Sequence, residues 1–278
     1  PLGHSISPAM HNRVFEKLGM DYCYMPVEVS PEDLGTVFAG LRRMNVAGFN
    51  VTIPHKIRIM SHLDELDPLA RAIGAVNTIC VKNGKTKGYN TDGEGFIRSL
   101  EEKAGISVQG KRFFILGCGG AVRAIAMTLA FKEAEKVYIC NRTLSKAKRL
   151  TEEINEKISD CAEAVEQIPE TIKPFLQGCD VLINGTQLGM NPNENISPID
   201  KLLLKKNLIV SDIVYNPLMT KLLKDAQQLG CTVVDGLGML IYQGAAAFQL
   251  WTGVEPLIKE MSEVAYGLMT TDKEDIKS

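Results

Sequence analysis

The sequence predicts an α/β protein of two α/β domains, the second built on a doubly wound parallel sheet. Three observations predict it. At 278 residues the chain is longer than one hydrophobic core usually serves. From Lys111 onward, β-branched and aromatic runs alternate with amphipathic stretches at the spacing of strand–helix–strand units. The first of those strands runs into a glycine-rich turn and then an apolar helix, the opening of a doubly wound unit.

Composition narrows the class. Hydrophobic residues make up 45% and charged ones 23%, ordinary for a globular protein in water. Net charge is −2, from 31 basic and 33 acidic residues, so bulk attraction to nucleic acid or an anionic membrane is not expected. The seven cysteines form no C-x-x-C pair and sit mostly in apolar runs, as small core residues do in a reducing cytoplasm. The four histidines build no His/Cys ligand cluster, so no metal is expected. The longest apolar helix candidate, 121–131, carries Arg123 and is too short to span a bilayer. No signal peptide is expected.

The elements follow in order. Ser7-Pro8 reads as an N-cap and a proline at the first helical position, opening a helix to about Leu18. Residues 22–29 read as a strand. Ser30-Pro31-Glu32-Asp33 resembles a capping box and opens a helix to about Met44. The β-branched run Val51-Thr-Ile53 is stopped by Pro54, and 55–63 has helical spacing of its apolar residues. A strand over 76–81 reaches the hairpin signal Asn83-Gly84 and returns over 86–90. Gly93 begins a helix to about Ala104. Strand 112–116, helix 121–131, strand 136–140 and helix 144–158 come next. Strands near 181–184, 208–213 and 232–234 follow, separated by helical or loop segments. Helices over 239–251 and 255–267 close the chain, with a polar, frayed tail from Thr270.

Two segments carry the sharpest chemical signal, Gly48-Phe-Asn-Val-Thr-Ile-Pro54-His-Lys56 and Gly88-Tyr-Asn-Thr-Asp92-Gly93. Lys56 falls in a first helical turn, where the macrodipole disfavours a cation by about 0.3–1 kcal/mol. A lysine whose task is to lose and regain a proton gains from such a position. Asp92 opposes the dipole by favouring the charged form. On pairing alone it reads as a plain salt bridge, and the helix-start position of Lys56 argues the other way. Around it, Asn50, Thr52, Asn77 and Asn90 place hydroxyl and amide groups at the ends of apolar strands. Each alone reads as a turn or edge residue; together they suit a small polyol. Ser5 and Ser7 flank Ile6 just before a helix, either as a cap with an exposed neighbour or as two hydroxyls converging on an anion.

The glycine turn is Phe113-Ile-Leu-Gly117-Cys-Gly119-Gly120-Ala121-Val122. Gly117 allows the tight turn, and Gly119 and Gly120 let backbone amides approach a pyrophosphate at the helix start. The third glycine of the usual dinucleotide fingerprint is replaced by Val122. The next strand ends in Asn141-Arg142-Thr143, with Lys146 one turn later. NAD-selecting folds place a carboxylate there, so two cations and no acid favour the 2′-phosphate of NADP, with NAD as the weaker alternative. The alternative is a polar strand end in which Thr143 caps the following helix.

His4-Ser-Ile-Ser-Pro8, Asn50-Val-Thr-Ile-Pro-His-Lys56, Gly74-Ala-Val-Asn-Thr78, Asn90-Thr-Asp-Gly93, Gly117-Cys-Gly-Gly-Ala121, Asn141-Arg-Thr143 and Asp235-Gly-Leu-Gly-Met-Leu240 with Gln243 resemble, in order, the signature of the shikimate dehydrogenase family, including its quinate-using branch. The resemblance implies a cytoplasmic two-domain oxidoreductase of aromatic amino-acid biosynthesis, reducing 3-dehydroshikimate reversibly with NADPH. It implies a substrate domain of residues 1–92 and 238–278 and a Rossmann-like NADP-binding domain of 93–237. Ser5 and Ser7 would hold the substrate carboxylate. Thr52, Asn77, Asp92 and Gln243 would bind its hydroxyls, Tyr215 and Gly236 would line the cleft, and Lys56 with Asp92 would be catalytic. Gly117, Gly119, Gly120, Ala121, Asn141, Arg142, Thr143, Lys146 and Gly236 would meet the cofactor. The family pattern opens with a strand ahead of His4 that this sequence does not carry, and Cys118 stands where alanine is common. The stretches 184–190 and 214–221 look close to the quinate-using branch, so quinate stands beside shikimate as a substrate.

The implied cleft would open and close about 92–95 and 235–238, where Gly93, Gly95, Gly236 and Gly238 permit dihedral changes or serve as turn and helix-end residues. Two further readings remain at this point. A methylene-tetrahydrofolate dehydrogenase-like enzyme also joins two such domains, though the Ser5/Ser7 pair speaks against it. A non-catalytic NADP(H) sensor would be marked by a broken Lys–Asp pair, and here both members are present. The assembly is a monomer or homodimer.

Overall fold

A computed structural model describes residues 5–271. The chain divides into two compact units, one comprising residues up to Gly95 and from Ile241 onward, the other Phe96–Leu240.

In the first unit, a four-stranded sheet has the order β1-β3-β4-β2, with β1 at Gly48–Asn50, β2 at Glu65–Leu66, β3 at Thr78–Lys82 and β4 at Lys85–Tyr89. β3 and β4 form the expected hairpin. Asn83 and Gly84 take φ of 52° and 73°, the left-handed pair that a two-residue turn requires. Helices α1 (Ser7–Lys17), α2 (Leu34–Arg43), α3 (His55–Arg58) and α4 (Pro68–Ile73) intervene, and α5 (Asp92–Ala104) starts in this unit and continues into the second from Phe96. α4 starts where Asp67 accepts from the amides of Leu69 and Ala70, satisfying helix-start donors. Leu34, Phe38, Ile59, Ala70, Val76 and Ile79 form the core of this sheet. Helices α10 (Leu237–Thr252) and α11 (Ile258–Thr271) end the described chain, and most of the expected polar tail lies outside the described residues.

Several expectations fail here, each for a local reason. Residues 22–29 form no strand, because side chains take up their backbone groups. Asn12 accepts from the Tyr24 amide at 2.7 Å and donates to its carbonyl at 2.8 Å, and His55 meets the Val29 carbonyl. The strand expected at 51–53 lies instead at Gly48–Asn50, where Gly48 is needed because a Cβ would meet the Ile79 carbonyl oxygen at 2.2 Å. The helix over 55–63 breaks into one α turn and a 3₁₀ turn at Ile59–His62. Ser7 does not cap α1; Ile6 holds the cap position and no side chain bonds there. Ser30 does bond with Asp33, but α2 begins only at Leu34.

The second unit is a six-stranded parallel sheet of order β10-β9-β8-β5-β6-β7. Its strands are β5 (Arg112–Leu116), β6 (Lys136–Cys140), β7 (Ala162–Val165), β8 (Val181–Asn184), β9 (Ile209–Asp212) and β10 (Thr232–Val234). The chain winds outward through β5, β6 and β7, then restarts at β8 on the other side of β5. Ligands of such sheets sit at that reversal, beyond the strands' carboxyl ends. Four residues of β5, Phe113–Leu116, are buried, the continuous apolar run of a strand covered on both faces. Helices α6 (Gly120–Phe131), α7 (Leu144–Lys157), α8 (Pro169–Gly178) and α9 (Lys221–Gln228) connect the strands. β7 and α8 had no sequence assignment of their own. β7 is a short edge strand reading Ala-Glu-Ala-Val, without the β-branched density that signals a strand.

Candidate active site

Lys56 and Asp92 meet. The ammonium donates to Asp92 Oδ2 at 2.6 Å, with the two side chains 27% and 14% exposed. Because α3 is a single turn, the dipole expected to oppose Lys56 is small, and a carboxylate holds the lysine instead. Asp92 is placed by the first turn of α5, and its amide donates to Asn90 Oδ1 at 3.1 Å. Asn77 Nδ2 donates to Asp92 Oδ1 at 2.8 Å and to Thr91 Oγ1 at 3.0 Å, so both amide hydrogens are used within the protein. Its Oδ1 accepts from the Thr91 amide and from Thr78 Oγ1. Asn50 donates to Thr78 Oγ1 at 3.0 Å and to the Asn77 carbonyl at 3.1 Å, and accepts from the Tyr24 hydroxyl at 2.9 Å. Sequence reading singled out Asn50, Asn77 and Asn90 but missed Tyr24, Thr78 and Thr91.

Other expected residues are spread around this network. Gln243 lies against the first turn of α5, since a Cβ on Gly95 would meet the Gln243 amide nitrogen at 2.4 Å. Gly95 therefore allows close packing, and neither it nor Gly93 has positive φ. Thr52 is exposed, and its carbonyl accepts from the His55 amide. Ser5 is exposed and Ser7 half-buried; no described hydrogen bond joins either to the Lys56–Asp92 network. Two aromatic side chains support Tyr24. The buried His11 ring stacks on it at 4.5 Å, and Trp251 lies 5.9 Å away. Burial pushes the His11 imidazole down to about 4 and the Tyr24 phenol up to about 12.

In the second unit the glycine turn follows β5. Gly117 has φ 106° and its amide donates to the Cys140 carbonyl at 2.8 Å. A Cβ there would meet the Gly185 carbonyl oxygen at 3.0 Å. Gly119 caps α6 and Gly120 begins it; both are exposed, and a Cβ on either would meet nothing within 4 Å. The protein's own packing therefore does not demand these two glycines, whereas close approach by a pyrophosphate at the start of α6 would. Ala121, next in the helix, is half-buried. Val122, where the fingerprint has glycine, is accommodated by a glycine opposite it: a Cβ on Gly185 would fall 2.0 Å from Val122 Cγ2. Here the glycine that lets helix and strand pack closely is Gly185.

β5 and β6 pair in register Leu116↔Cys140, which sets Asn141 and Arg142 beside the glycine turn. Asn141 donates to the Thr143 carbonyl at 3.0 Å. Arg142, Thr143 and Lys146 are exposed. Thr143 holds the cap position of α7, yet its side chain makes no capping bond, which removes the capping alternative. Burial raises the Cys118 thiol to about 11, with the Lys146 charge pulling it the other way. The residues present thus fit a dinucleotide with a phosphate at the ribose.

At the same carboxyl edge, buried Asp212 accepts from Asn184 Nδ2 (2.9 Å), the Val214 amide (3.0 Å) and Thr220 Oγ1 (2.8 Å). Desolvation pushes its carboxyl up to about 6. This carboxylate, unnoticed in the sequence, ties the loop after β8 to the loop carrying Tyr215, whose side chain is exposed. Gly236 packs on that second loop, since a Cβ would meet the Ile213 and Val214 carbonyl oxygens at 2.6 Å; Gly238 likewise faces Ser99. These glycines provide space rather than dihedral freedom. Among the described residues no cluster of three or more His, Cys, Asp or Glu could hold a metal, and no helix is long and apolar enough to cross a membrane.

Three stretches match family models. Residues 1–79 match the shikimate dehydrogenase substrate binding domain, 99–213 the shikimate / quinate 5-dehydrogenase model, and 236–266 the shikimate 5'-dehydrogenase C-terminal domain. A shikimate dehydrogenase (NADP(+)) of Methanopyrus kandleri is 46% identical over 264 residues, 95% of this chain and 91% of that protein. The structure of a shikimate 5-dehydrogenase from Listeria monocytogenes, in complex with shikimate and NAD, superposes with a TM-score of 0.92 at 39% identity, covering 95% of this chain and 93% of the other. A quinate dehydrogenase from Corynebacterium glutamicum in complex with NAD gives a TM-score of 0.88 at 31% identity, covering 96% of each chain.

Proposed function

Because the chain belongs to the shikimate dehydrogenase family, we propose that it interconverts 3-dehydroshikimate and shikimate with NADP as the hydride carrier. It is an oxidoreductase acting on a CH–OH group. The observation that carries the mechanism is the 2.6 Å contact between Lys56 and Asp92.

The reduced nicotinamide, when bound, supplies the hydride. The chain must manage one proton. In reduction, the Lys56 ammonium donates a proton to the oxygen of the carbonyl as that group becomes an alcohol. In oxidation, Lys56 in its neutral form takes the hydroxyl proton back. Asp92 orients the lysine through their 2.6 Å hydrogen bond. We assign Ser5 and Ser7 to the substrate carboxylate, and Thr52, Asp92, Gln243 and Tyr215 to its hydroxyls. Asn77 touches Asp92 directly and completes that polar set. The substrate residues up to Gly95 and from Ile241 are assigned to one unit's work, and dinucleotide binding to Phe96–Leu240. There Gly117 makes the tight turn that brings the amides of Gly119, Gly120 and Ala121 to face the pyrophosphate, Asn141, Arg142, Thr143 and Lys146 face the 2′-phosphate, and Gly236 supports the adjoining loop. The free thiols, seven in all, support a cytoplasmic setting, with the enzyme as a monomer or homodimer.

Steady-state kinetics with shikimate and quinate, each against NADP and NAD, test this reading. Shikimate with NADP should give the highest kcat/KM. The likeness to a quinate dehydrogenase supports quinate as a second substrate, with a lower kcat/KM. Cofactor binding without turnover of either compound would replace the enzyme by a sensor.

A further inference from the structure

Asp92 can aim Lys56 only if its own carboxylate is held, and the holding runs backward through buried side chains. Asn77 is 3% exposed, Thr78 0% and Thr91 4%. Thr78 is therefore out of reach of any ligand, yet its hydroxyl stands at the centre of the chain of hydrogen bonds.

The direction of that chain is fixed by groups that can act in only one sense. The Asn77 carbonyl can only accept, so the Asn50 amide group that faces it at 3.1 Å must be the NH₂ end. The same NH₂ donates to Thr78 Oγ1 at 3.0 Å and occupies that oxygen as acceptor. The Tyr24 phenol, protonated up to about 12, donates to the other end of the Asn50 amide and locks it. The Thr78 proton then goes to Asn77 Oδ1 at 3.0 Å, the nearer of its two remaining partners, with Thr91 Oγ1 at 3.2 Å. The Thr91 amide, another obligate donor, reaches the same oxygen at 2.8 Å. With its oxygen thus engaged, Asn77 must turn its NH₂ toward Asp92 Oδ1, leaving Oδ2 for Lys56. An amide turned the other way would set oxygen against carboxylate and release the pair.

We propose that Thr78 is a positioning residue for the proton-transferring pair, its hydroxyl aimed by Asn50 and Tyr24 so that Asn77 holds Asp92 against Lys56. The inference rests on the functional reading above. It assigns Thr78, Asn50 and Tyr24 a role in turnover without contact with substrate.

Thr78→Val keeps shape and β propensity but removes the hydroxyl, whereas Thr78→Ser keeps the hydroxyl and loses a methyl. With shikimate and NADP, Thr78→Val is expected to lower kcat about 10-fold with KM within about two-fold, the pattern of an interaction used in the transition state. Thr78→Ser should retain kcat within about two-fold even where its thermal midpoint falls. Near-normal kcat in Thr78→Val, or equal kcat losses in both variants, overturns the inference. Should Thr78→Val fail to fold, Tyr24→Phe keeps the aromatic stack and removes the terminal donor; a lower kcat at unchanged KM supports the inference, and an unchanged kcat sinks it. Side-chain amide exchange of Asn77, followed by NMR, separates this from failure of the functional reading. Protection in the parent protein that is lost in Thr78→Val supports the oriented chain whatever the substrate, and equal exchange in both overturns it.

Discussion

Lys56 and Asp92 stand 36 positions apart in the chain and 2.6 Å apart in the structure, joined because β3 and β4 return the chain to the residue that Asn77 can reach. An ion pair so partly exposed contributes little to folding, on the order of 0–1 kcal/mol. Its importance should therefore show in rate. Lys56→Ala is expected to lower kcat by about 10²–10⁴-fold, the usual contribution of a general acid–base group, with little change in KM. A variant with near-normal kcat removes Lys56 from the chemistry.

Arg142 and Lys146 should decide between the two nicotinamide cofactors. Both are exposed beside the glycine turn, and no acid replaces them at the end of β6. Arg142→Ala is expected to raise KM for NADP by about 10-fold or more, since a charge-assisted contact contributes about 1.5–3 kcal/mol. KM for NAD should hardly move. Equal losses with both cofactors would refute the assignment to the 2′-phosphate.

Much of this site was legible because its residues are punctuation. Glycines in a turn, Asn83-Gly84 in a hairpin, and a lysine just past a proline each announce a local conformation, and β5, β6, β8 and β10 fell where their apolar runs stand. What escaped was decided by partners distant in sequence. Residues 22–29 have a strand's composition, but Asn12 occupies the Tyr24 backbone groups that a ladder would use. Thr78 reads as an ordinary strand residue until Asn50 and Asn77 are placed on either side of it. Asp212 ends an apolar strand like many turn residues, and only burial reveals it as a hub. Val122 looked like a defect in the fingerprint and is explained by Gly185, a residue on another strand's exit.

The two units should respond to acid with opposite slopes. His11 is buried in the first unit among Tyr24, Phe15, Phe248 and Trp251, and desolvation lowers it from 6.5 to about 4. Between those values the unfolded chain binds the extra proton, so stability present above pH 6.5 is lost as pH falls, by up to about 3 kcal/mol. Asp212 in the second unit is raised from 3.8 to about 6. There the folded chain binds the proton, so its stabilising effect is full below pH 3.8 and is lost as pH rises through 6, by a similar amount, about 3 kcal/mol. Native-state hydrogen exchange at pH 4.5 and 7 should show protection falling in the first unit and rising in the second on acidification. His11→Phe and Asp212→Asn should each flatten the slope of their own unit only. Parallel slopes in both variants would show that neither group controls it.

The close contact of Gly185 with Val122 makes a prediction that needs two substitutions. A Cβ on Gly185 would lie 2.0 Å from Val122 Cγ2 and 3.1 Å from the Leu116 carbonyl oxygen, and Val122 is fully buried in α6. Gly185→Ala must therefore push α6 away from the sheet, at a cost of about 1–3 kcal/mol typical of overpacking. The displaced element carries Gly119 and Gly120 at its start, so NADP affinity should fall together with stability. Val122→Ala alone leaves a small cavity and costs about 1–2 kcal/mol. Combined, the two changes relieve the clash, and the double variant should be more stable than the sum of the singles by at least about 1 kcal/mol, within the usual range for touching residues. Denaturant midpoints and cofactor titration of the four proteins measure both quantities. Strict additivity would mean that the helix is not held against the strand through this contact, and that the missing third glycine has some other compensation.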